Sequence, residues 1–504
     1  MNTATRDAPP LSKSKLMACR QCPRRLWLEW NRPDLREDSP QTQATFDVGH
    51  AVGEVARRQF DPMGCGVLVE RETVAEGLAR SKDALRQRTP LFEVGLAADG
   101  AYAFTDVLLP VRRQGRDAWR LIEVKSSTKV KDYYYEDVAI QAFLAQRSGI
   151  PLASVEIARV DSSWTYPGNG DYEGLLVTEN LSKDTAARQG EVGNWITTAQ
   201  AVLRKRSEPD IATGKHCHEP YDCGFLHYCE SQEPKVRYPI QWLPGALKKE
   251  LKALIEHDGL RDMGQVPDAL LNSTQRRVKR HTLSGKPYFD GAGAADALRG
   301  HAKPHYFLDF ETVSFAVPIW KGTRPYQQIP FQFVLVRQAR NGKLERSDFL
   351  DLSGNDPSLA LASALIAACG ETGTIYAYSA SFEAGIIEAL AERFPKLRRE
   401  LRSIRARLFD LLKVTRDHYY HPAQQGSWSI KSVLPTLGSS LDYAQLEGVQ
   451  DGGMAADAYR QAIAPGVTPA QKMLIENQLK AYCGVDVAAM TALKFKLLGK
   501  SLDI

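Results

Sequence analysis

No stretch of this sequence approaches 18 consecutive apolar residues, so no membrane-spanning helix and no membrane partner are expected. The first fifteen residues, MNTATRDAPPLSKSK, lack the apolar core of a secretory leader, and the chain is expected to be cytoplasmic. Glycine (37) and proline (27) are too sparse for a collagen-like or low-complexity chain, and no internal repeat is visible. Net charge is only +5, too small by itself to indicate nucleic acid. What is present is ordinary: 43% apolar, 25% charged and 9% aromatic among 504 residues. That is material for more than one core and, at about 150 residues per domain, for two to four domains.

Charge is unevenly spread. Residues 1–36 carry Arg6, Lys13, Lys15, Arg20, Arg24, Arg25, Arg32 and Arg36 against Asp7, Glu29 and Asp34. Further basic runs lie at Gln275–His281 and Arg393–Arg416. One such run reads first as a solvated helix face; three in one chain point toward a polyanionic partner. The cysteines are uneven too. Cys19, Cys22, Cys217, Cys223 and Cys229 fall in two tight groups, while Cys65, Cys369 and Cys483 stand alone. In a reducing compartment such groups read as metal or cluster ligands before disulfides.

Three regions are predicted. Residues 1–235 open with a disordered tip, continue through amphipathic and extended stretches and close with the Cys217–Cys229 group. Residues 236–300 read as a helical connector, since LPGALKKELKALIEHDGL spaces its apolar residues helically before the glycine-rich DGAGAAD. Residues 301–504 start afresh at the apolar strand His305–Glu311 and then alternate strands with helices, the pattern of an α/β domain.

In the first region Ala101–Pro110 and Trp119–Lys125 read as paired strands joined by the turn-rich RRQGRD. Glu123 and Lys125, at i and i+2, share a strand face, and Asp106 on the partner strand reaches that face. Two carboxylates and a lysine so placed can hold a divalent ion, orient a water and steady developing phosphate charge. An E-x-K alone is usually a surface ion pair; the added aspartate makes it a candidate site. T-D-V-L, I-E-V-K-S-S and a following helix with Gln141 resemble the RecB-type branch of the PD-(D/E)xK nucleases. The resemblance implies catalytic roles for Asp106, Glu123, Lys125 and Gln141, with Asp106 and Glu123 holding metal. Gln141 matches the first residue of that branch's Q-x-x-x-Y motif, but Ala145 stands where Tyr is expected, and Tyr133–Tyr135 lie upstream. His50, beside Gly49, is a candidate for the branch's G-x-x-x-H histidine and would share a helix face with Glu54; a surface histidine is the plain alternative. Glu93 is a further candidate carboxylate.

Cys217-x5-Cys223-x5-Cys229, with Cys22 opening Cys-Pro-Arg-Arg-Leu-Trp, presents four thiolates suited by spacing to tetrahedral zinc or to a 4Fe–4S cluster. A subset of RecB-type nucleases is similar: one cysteine before the nuclease core and three after it hold a 4Fe–4S cluster that staples the domain ends. The resemblance implies Cys22, Cys217, Cys223 and Cys229 as the ligands, with Cys22 preferred to Cys19 for its C-P-R-R-L context. The Cys19-x-x-Cys22 pair leaves zinc or a Cys19 substitution open. A staple closing so long a loop would stabilise the fold.

In the last region Asp309 and Glu311 share one strand face, and Phe310 faces the other way. Tyr376–Glu383 ends a strand and starts a helix, Asp410 follows in Arg407–Asp410, and Tyr482 and Asp486 share a helix face at i, i+4. Acids on separate elements can bind two metals for in-line phosphoryl transfer. In this order they resemble the DEDD exonucleases of the ribonuclease H-like fold, in the Y-x-x-x-D variant. The resemblance implies Asp309, Glu311, Glu383 and Asp486 as metal ligands and Tyr482 as the residue orienting the attacking water. The second motif departs: N-x-x-F-D in that superfamily reads Ser379-Ala-Ser-Phe-Glu383 here, so Asp410 is an alternative third ligand. Pro318–Gln332, Gly426–Lys431, Asp451-Gly and Tyr482-Cys-x-x-Asp are similar to a bacterial family described only as a domain of unknown function, whose members couple the two domain types.

These resemblances imply an α/β protein with an N-terminal PD-(D/E)xK restriction-endonuclease-like domain, an iron–sulfur staple, and a C-terminal ribonuclease H-like domain. The expected activity is phosphodiester hydrolysis at two sites with Mg²⁺ or Mn²⁺, on DNA ahead of RNA, in repair or defence. The alternatives are a nucleic-acid-binding scaffold with one inactive domain, and an RNA-processing exonuclease.

Overall fold

The computed structural model describes residues 10–38, 40–339, 341–438 and 441–500. Arg6, Asp7 and the rest of the tip expected to be disordered lie outside the described residues. The chain divides into two compact units, both mixed α/β: Met1–Pro234 with Phe315–Gln327, and Lys235–Ser314 with Gln328–Ile504. The stretch 236–300 therefore falls within the second unit. The short segment 315–327 leaves its sequence neighbours and packs in the first.

In the first unit, strands β1 (Leu11–Ser12), β2 (Val67–Leu68), β3 (Leu91–Ala98), β4 (Ala101–Arg113), β5 (Arg116–Lys125), β6 (Leu152–Val160) and β7 (Leu176–Asn180) make one mixed sheet. Its order is β2-β3-β4-β5-β6-β7, with β1 parallel beside the start of β4. The β4–β5 turn is tighter than RRQGRD suggests: Gln114 and Gly115 take φ of 51° and 75°, the two left-handed residues of a primed hairpin turn. Helices α1 (Lys13–Gln21), α2 (Pro23–Asn31), α3 (Pro40–Phe60), α4 (Val74–Ala84), α5 (Asp132–Arg147), α6 (Ser182–Leu203) and α7 (Leu226–Gln232) complete the unit. Alternation along β5 sorts its side chains. Trp119 and Leu121 join the core under α5, whereas Ile122 packs with Phe92, Val107 and Ala158 on the other face. Glu123 continues the first series, so it points toward α5. The segment 315–327 is pinned by Ala316, buried with Val52, Val55 and Leu175, and by Tyr166, whose N–H donates to Thr323 O at 3.0 Å and whose O accepts from Gly322 N at 2.8 Å.

The second unit holds α8 (Lys249–His257), α9 (Ser273–Ser284), the short strand β8 (Tyr288–Phe289), α10 (Gly291–Ala297) and strands β9 (His305–Val313), β10 (Ile329–Gln338) and β11 (Leu344–Leu350). Then come α11 (Ser358–Cys369), β12 (Thr374–Ala377), α12 (Ser381–Arg393), α13 (Arg398–Ala406), β13 (Leu408–Asp410), α14 (Leu411–His418) and β14 (Tyr419–Tyr420). Helices α15 (Ile430–Val433), α16 (Gly452–Ile463) and α17 (Pro469–Leu497) end the chain's described structure. The main sheet runs β11-β10-β9-β12-β13, with β9 antiparallel to β10 and parallel to β12. Central β9 is sealed on both sides. Phe310 and Leu308 pack with α11 and α12, and Phe307 packs with Val487, Met490 and Leu493 of α17. Asp309 and Glu311 thus emerge toward α17. Among the described residues no helix is long and apolar enough to cross a membrane.

Candidate functional site

In the first unit, Asp106 on β4 and Glu123 on β5 stand opposite each other, one step beyond the Val107–Ile122 pair. Asp106 Oδ2 accepts from Val124 N at 2.6 Å, which fixes the carboxylate against the neighbouring strand. Lys125 Nζ donates to Glu123 Oε1 at 2.7 Å and to Asp137 Oδ2 at 2.6 Å. Gln141 Nε2 donates to Glu123 Oε2 at 2.7 Å and to Asp137 Oδ1 at 3.0 Å. A second lysine, Lys13 at the start of α1, lies 2.7 Å from both Glu123 Oε1 and Asp137 Oδ1. Glu123, Asp137 and Gln141 are buried.

Charge sorts these groups. Burial alone would lower the two ammonium groups, but Asp137 and Glu123 push Lys13 up and Lys125 well up from the ordinary lysine range. The two lysines in turn hold the Asp137 carboxyl far below its usual range, against burial. Burial, then the charge of Glu123, pushes Asp106 well above the carboxylate range. The acid that forms no ion pair among the described residues is the one pushed upward.

His50 and Glu54 of α3 line the same cleft of about 390 Å³, with Glu93, Asp106, Glu123, Lys125 and Tyr134. Glu93 sits opposite Asp106 in register, between the Phe92–Val107 and Val94–Thr105 pairs. Its φ of 57° is strained for a non-glycine residue, a cost on the order of 1–3 kcal/mol that clusters at functional sites. Tyr134, upstream of Gln141 on α5, lies under Lys125 with Nζ 5.1 Å from its ring. Lys13 and Asp137 escaped the sequence reading. Asp137 was legible, four residues before Gln141 on one helix face; Lys13 had no local signal.

Cys22, Cys217, Cys223 and Cys229 line one cavity together with Arg24, Arg25 and His216. Cys19 points elsewhere, into the core under α5. Cys22 caps the C-terminus of α1 and the N-terminus of α2, where Pro23 occupies the first turn. Burial pushes the Cys229 thiol up to about 11 and raises Cys217 and Cys223, so thiolates here need a cationic partner. Tetrahedral zinc, with Zn–S of about 2.3 Å, draws its thiolates within roughly 4 Å of one another. Among the described residues no three of these sulfurs come within 4.8 Å of one another. The four thiols are a donor set open to zinc or to an iron–sulfur cluster.

In the second unit, Asp309, Glu311, Tyr482 and Asp486 line a cleft of about 480 Å³ with Lys431 of α15. Glu311, Asp486 and Glu383 are buried. Burial first, then Asp486, lifts Glu311 to about 8, against the pull of Lys431. Burial likewise carries Glu383 to about 8 and raises Asp309 and Asp486. Tyr443 donates its hydroxyl to Asp486 Oδ1. Lys431 Nζ lies 5.3 Å from the Tyr482 ring and 5.5 Å from the Tyr443 ring. Cys483 Sγ stands 3.4 Å from Asp309 Oδ2, and Asp309, Glu311 and Cys483 present ligand atoms within 4.8 Å of one another.

Glu383 and Asp410 play different parts. Glu383, in the first turn of α12, has an Oε2 with no hydrogen-bond partner. Its charge is felt by Asp309. Asp410 is spent locally: Oδ1 accepts from Ser379 N at 3.1 Å and from Leu412 N at 2.9 Å, capping α14. The first bond holds Ser379 at φ 71°. Lys431, Tyr443 and Cys483 were not singled out by sequence. Cys483 was the legible one, three residues before Asp486 on a helix.

The basic runs are largely consumed inside the protein. Arg20 pairs with Glu136, Arg24 with Glu208 and Arg25 with Glu29. Arg402 pairs with Glu388, while Arg407 donates to Gly370 O and Thr372 O, each at 2.8 Å. Arg277 donates to Asp417 O at 2.7 Å.

A family model described as a domain of unknown function (DUF2779) matches residues 306–429. That span carries Asp309, Glu311, Glu383 and Asp410 and stops short of Lys431, Tyr482 and Asp486. No curated protein matches the chain.

Proposed function

We propose that the protein is a metal-dependent nuclease with two separate phosphodiester-hydrolysing sites, acting on DNA ahead of RNA. One observation carries the reading. In the second unit Asp309, Glu311, Glu383 and Asp486 are gathered in or beside one cleft, Lys431 acts on Glu311 and Asp486, and burial keeps all four above the ordinary carboxylate range. Such an excess of buried negative charge is costly unless cations neutralise it. The orphaned Oε2 of Glu383 fits the same need. Asp309, Glu311, Asp486 and Glu383 would hold divalent cations, which supply Lewis-acid stabilisation of a phosphoryl oxygen when bound. Tyr482 at the cleft wall serves to orient the attacking water, and Tyr443 and Lys431 fix Asp486 and the Tyr482 ring. This arrangement supports a ribonuclease H-like, DEDDy-type exonuclease unit working from 3′ ends.

The first unit supports a PD-(D/E)xK reading by a different balance of charge. Asp106 and Glu123 would hold the metal there, and Gln141 Oε1, buried without a partner, leaves an acceptor for the water that such a site must orient. Lys125 and Lys13 face the Glu123 side as fixed cations able to steady charge growing on a phosphate. Cys22, Cys217, Cys223 and Cys229 would hold a 4Fe–4S cluster, which ties the end of α1 to the Cys217–Cys229 segment and supplies no step of hydrolysis.

The deciding experiment is cleavage of end-labelled single- and double-stranded DNA and RNA by the full chain with Mg²⁺ or Mn²⁺, beside Lys125→Ala, Asp309→Ala and the double variant. Loss of one product class in each single variant and of all cleavage in the double is expected. Binding without cleavage in the wild type overturns the reading in favour of a scaffold.

A further inference from the structure

Beside the first site runs a groove of about 570 Å³ lined by Ser127, Thr128, Lys131, Ser162, Arg324 and Tyr326. It begins where the lysine strand ends: the Tyr326 hydroxyl donates to Ser126 O, one residue past Lys125. Its far wall is the segment 315–327, which packs in the first unit. Three features of this groove point to one kind of ligand.

The cations lack carboxylate partners, although Lys131 Nζ lies 5.9 Å from the Tyr133 ring. Across the chain most arginines of the basic runs are bound to carboxylates or carbonyls, but among the described residues neither Lys131 nor Arg324 forms an ion pair, and no carboxylate lines the groove. Lys131 is also the N-cap of α5, whose first amides receive no side-chain cap. The hydroxyls of Ser127, Thr128 and Ser162 add neutral partners suited to phosphate oxygens. Tyr326 then supplies a stacking surface: it is 36% exposed, yet fixed by its hydroxyl and held at φ 59°. A non-glycine residue in that conformation is sustained only by its surroundings. Here they are the turn in which Arg324 N donates to Gln327 Oε1 at 3.0 Å.

We propose that this groove binds a single strand of nucleic acid, with Lys131 and Arg324 on consecutive phosphates and one base stacked on Tyr326, and delivers it to the Asp106–Glu123–Lys125 cleft. Paired cations beside an exposed aromatic are the elements of sequence-tolerant single-strand binding. The inference rests on the nuclease reading above and deepens it by naming the substrate form and its path. The segment 315–327 thereby acts as a substrate-binding element of the first site, although its sequence lies beside Asp309 and Glu311 of the second.

The test uses the full chain carrying Lys125→Ala and Asp309→Ala, to prevent cleavage, and a fluorescent DNA strand of about 16 nucleotides. Affinity is read by anisotropy between about 50 and 200 mM salt. Arg324→Glu and Lys131→Glu should each weaken binding about tenfold or more and flatten the slope of log K against log salt by about 0.7. Arg324→Lys should retain affinity and slope. Lys183→Glu, an exposed reversal of equal charge on α6, should leave both near the parent values. Tyr326→Ala should cost about fivefold to a hundredfold without changing the slope. Parent affinity and slope in both charge reversals overturns the groove while leaving the nuclease reading intact. A parent that binds no nucleic acid, with a wild type that cleaves none, overturns both.

Discussion

Lys13 Nζ lies 2.7 Å from Glu123 Oε1, although 110 residues separate them in the chain. It reaches this point because Ser12, in the short strand beside β4, caps the helix that Lys13 begins. Cys22 ends the same helix. A single nine-residue element therefore joins the carboxylate–lysine cluster to the cysteine cavity.

Lys13 is expected to matter for cleavage. In a chain whose second site is silenced by Asp309→Ala, Lys13→Ala should lower first-site cleavage about 10²-fold, as loss of a charge-stabilising donor does, and Lys125→Ala should abolish it. Thermal melting of both variants separates chemistry from folding. Unchanged cleavage in Lys13→Ala makes this lysine a purely structural partner of Asp137.

The cysteine cavity predicts colour. Protein purified without oxygen should be brown and carry iron with labile sulfide, and Cys223→Ser should lose both together with several kcal/mol of stability. Stoichiometric zinc without iron in such a preparation refutes the cluster.

The second unit should respond to pH in an unusual direction. Glu311 and Glu383 are raised from about 4.3 to about 8, so the native state holds more protons than the unfolded one across that window. Stability of metal-free protein should therefore fall as pH rises from about 4.3 through about 8. Mn²⁺ or Mg²⁺ replaces the missing protons, so the rise in melting temperature on adding metal should be larger at pH 8 than at pH 6. Calorimetry at the two pH values decides; equal metal shifts refute the acid cluster as the metal site.

Glu383 and Asp410 should separate cleanly. Glu383→Gln should weaken metal binding and slow 3′-end cleavage while raising the stability of metal-free protein at pH 8, because it removes a buried charge. Asp410→Ala should lose about 1 kcal/mol through the missing helix cap and retain metal affinity. The opposite pattern by titration calorimetry would make Asp410 the ligand. A longer Glu in place of Asp also predicts faster cleavage with Mn²⁺ than with Mg²⁺, whose near-ideal octahedral geometry tolerates displacement poorly.

Much of each candidate site was legible because it is local. Strand period places Glu123 with Lys125 and Asp309 with Glu311, and helical period places Tyr482 with Asp486. Two partners were equally local and passed over: Asp137, four residues before Gln141, and Cys483, three before Asp486. Their identities offered no reason to choose them over dozens of other residues at helical spacing.

The sequence by itself determined the mixed α/β character, the paired strands bearing carboxylates and the cysteine groups, since each depends on residue type at short periodic separation. Tertiary structure alone decided that Lys13 answers Glu123, that Asp410 Oδ1 is taken by two backbone amides, and that residues 315–327 pack in the first unit. Those outcomes depend on contacts between residues tens to hundreds of positions apart. Burial then sets their charges, and burial belongs to the folded whole rather than to any window of sequence.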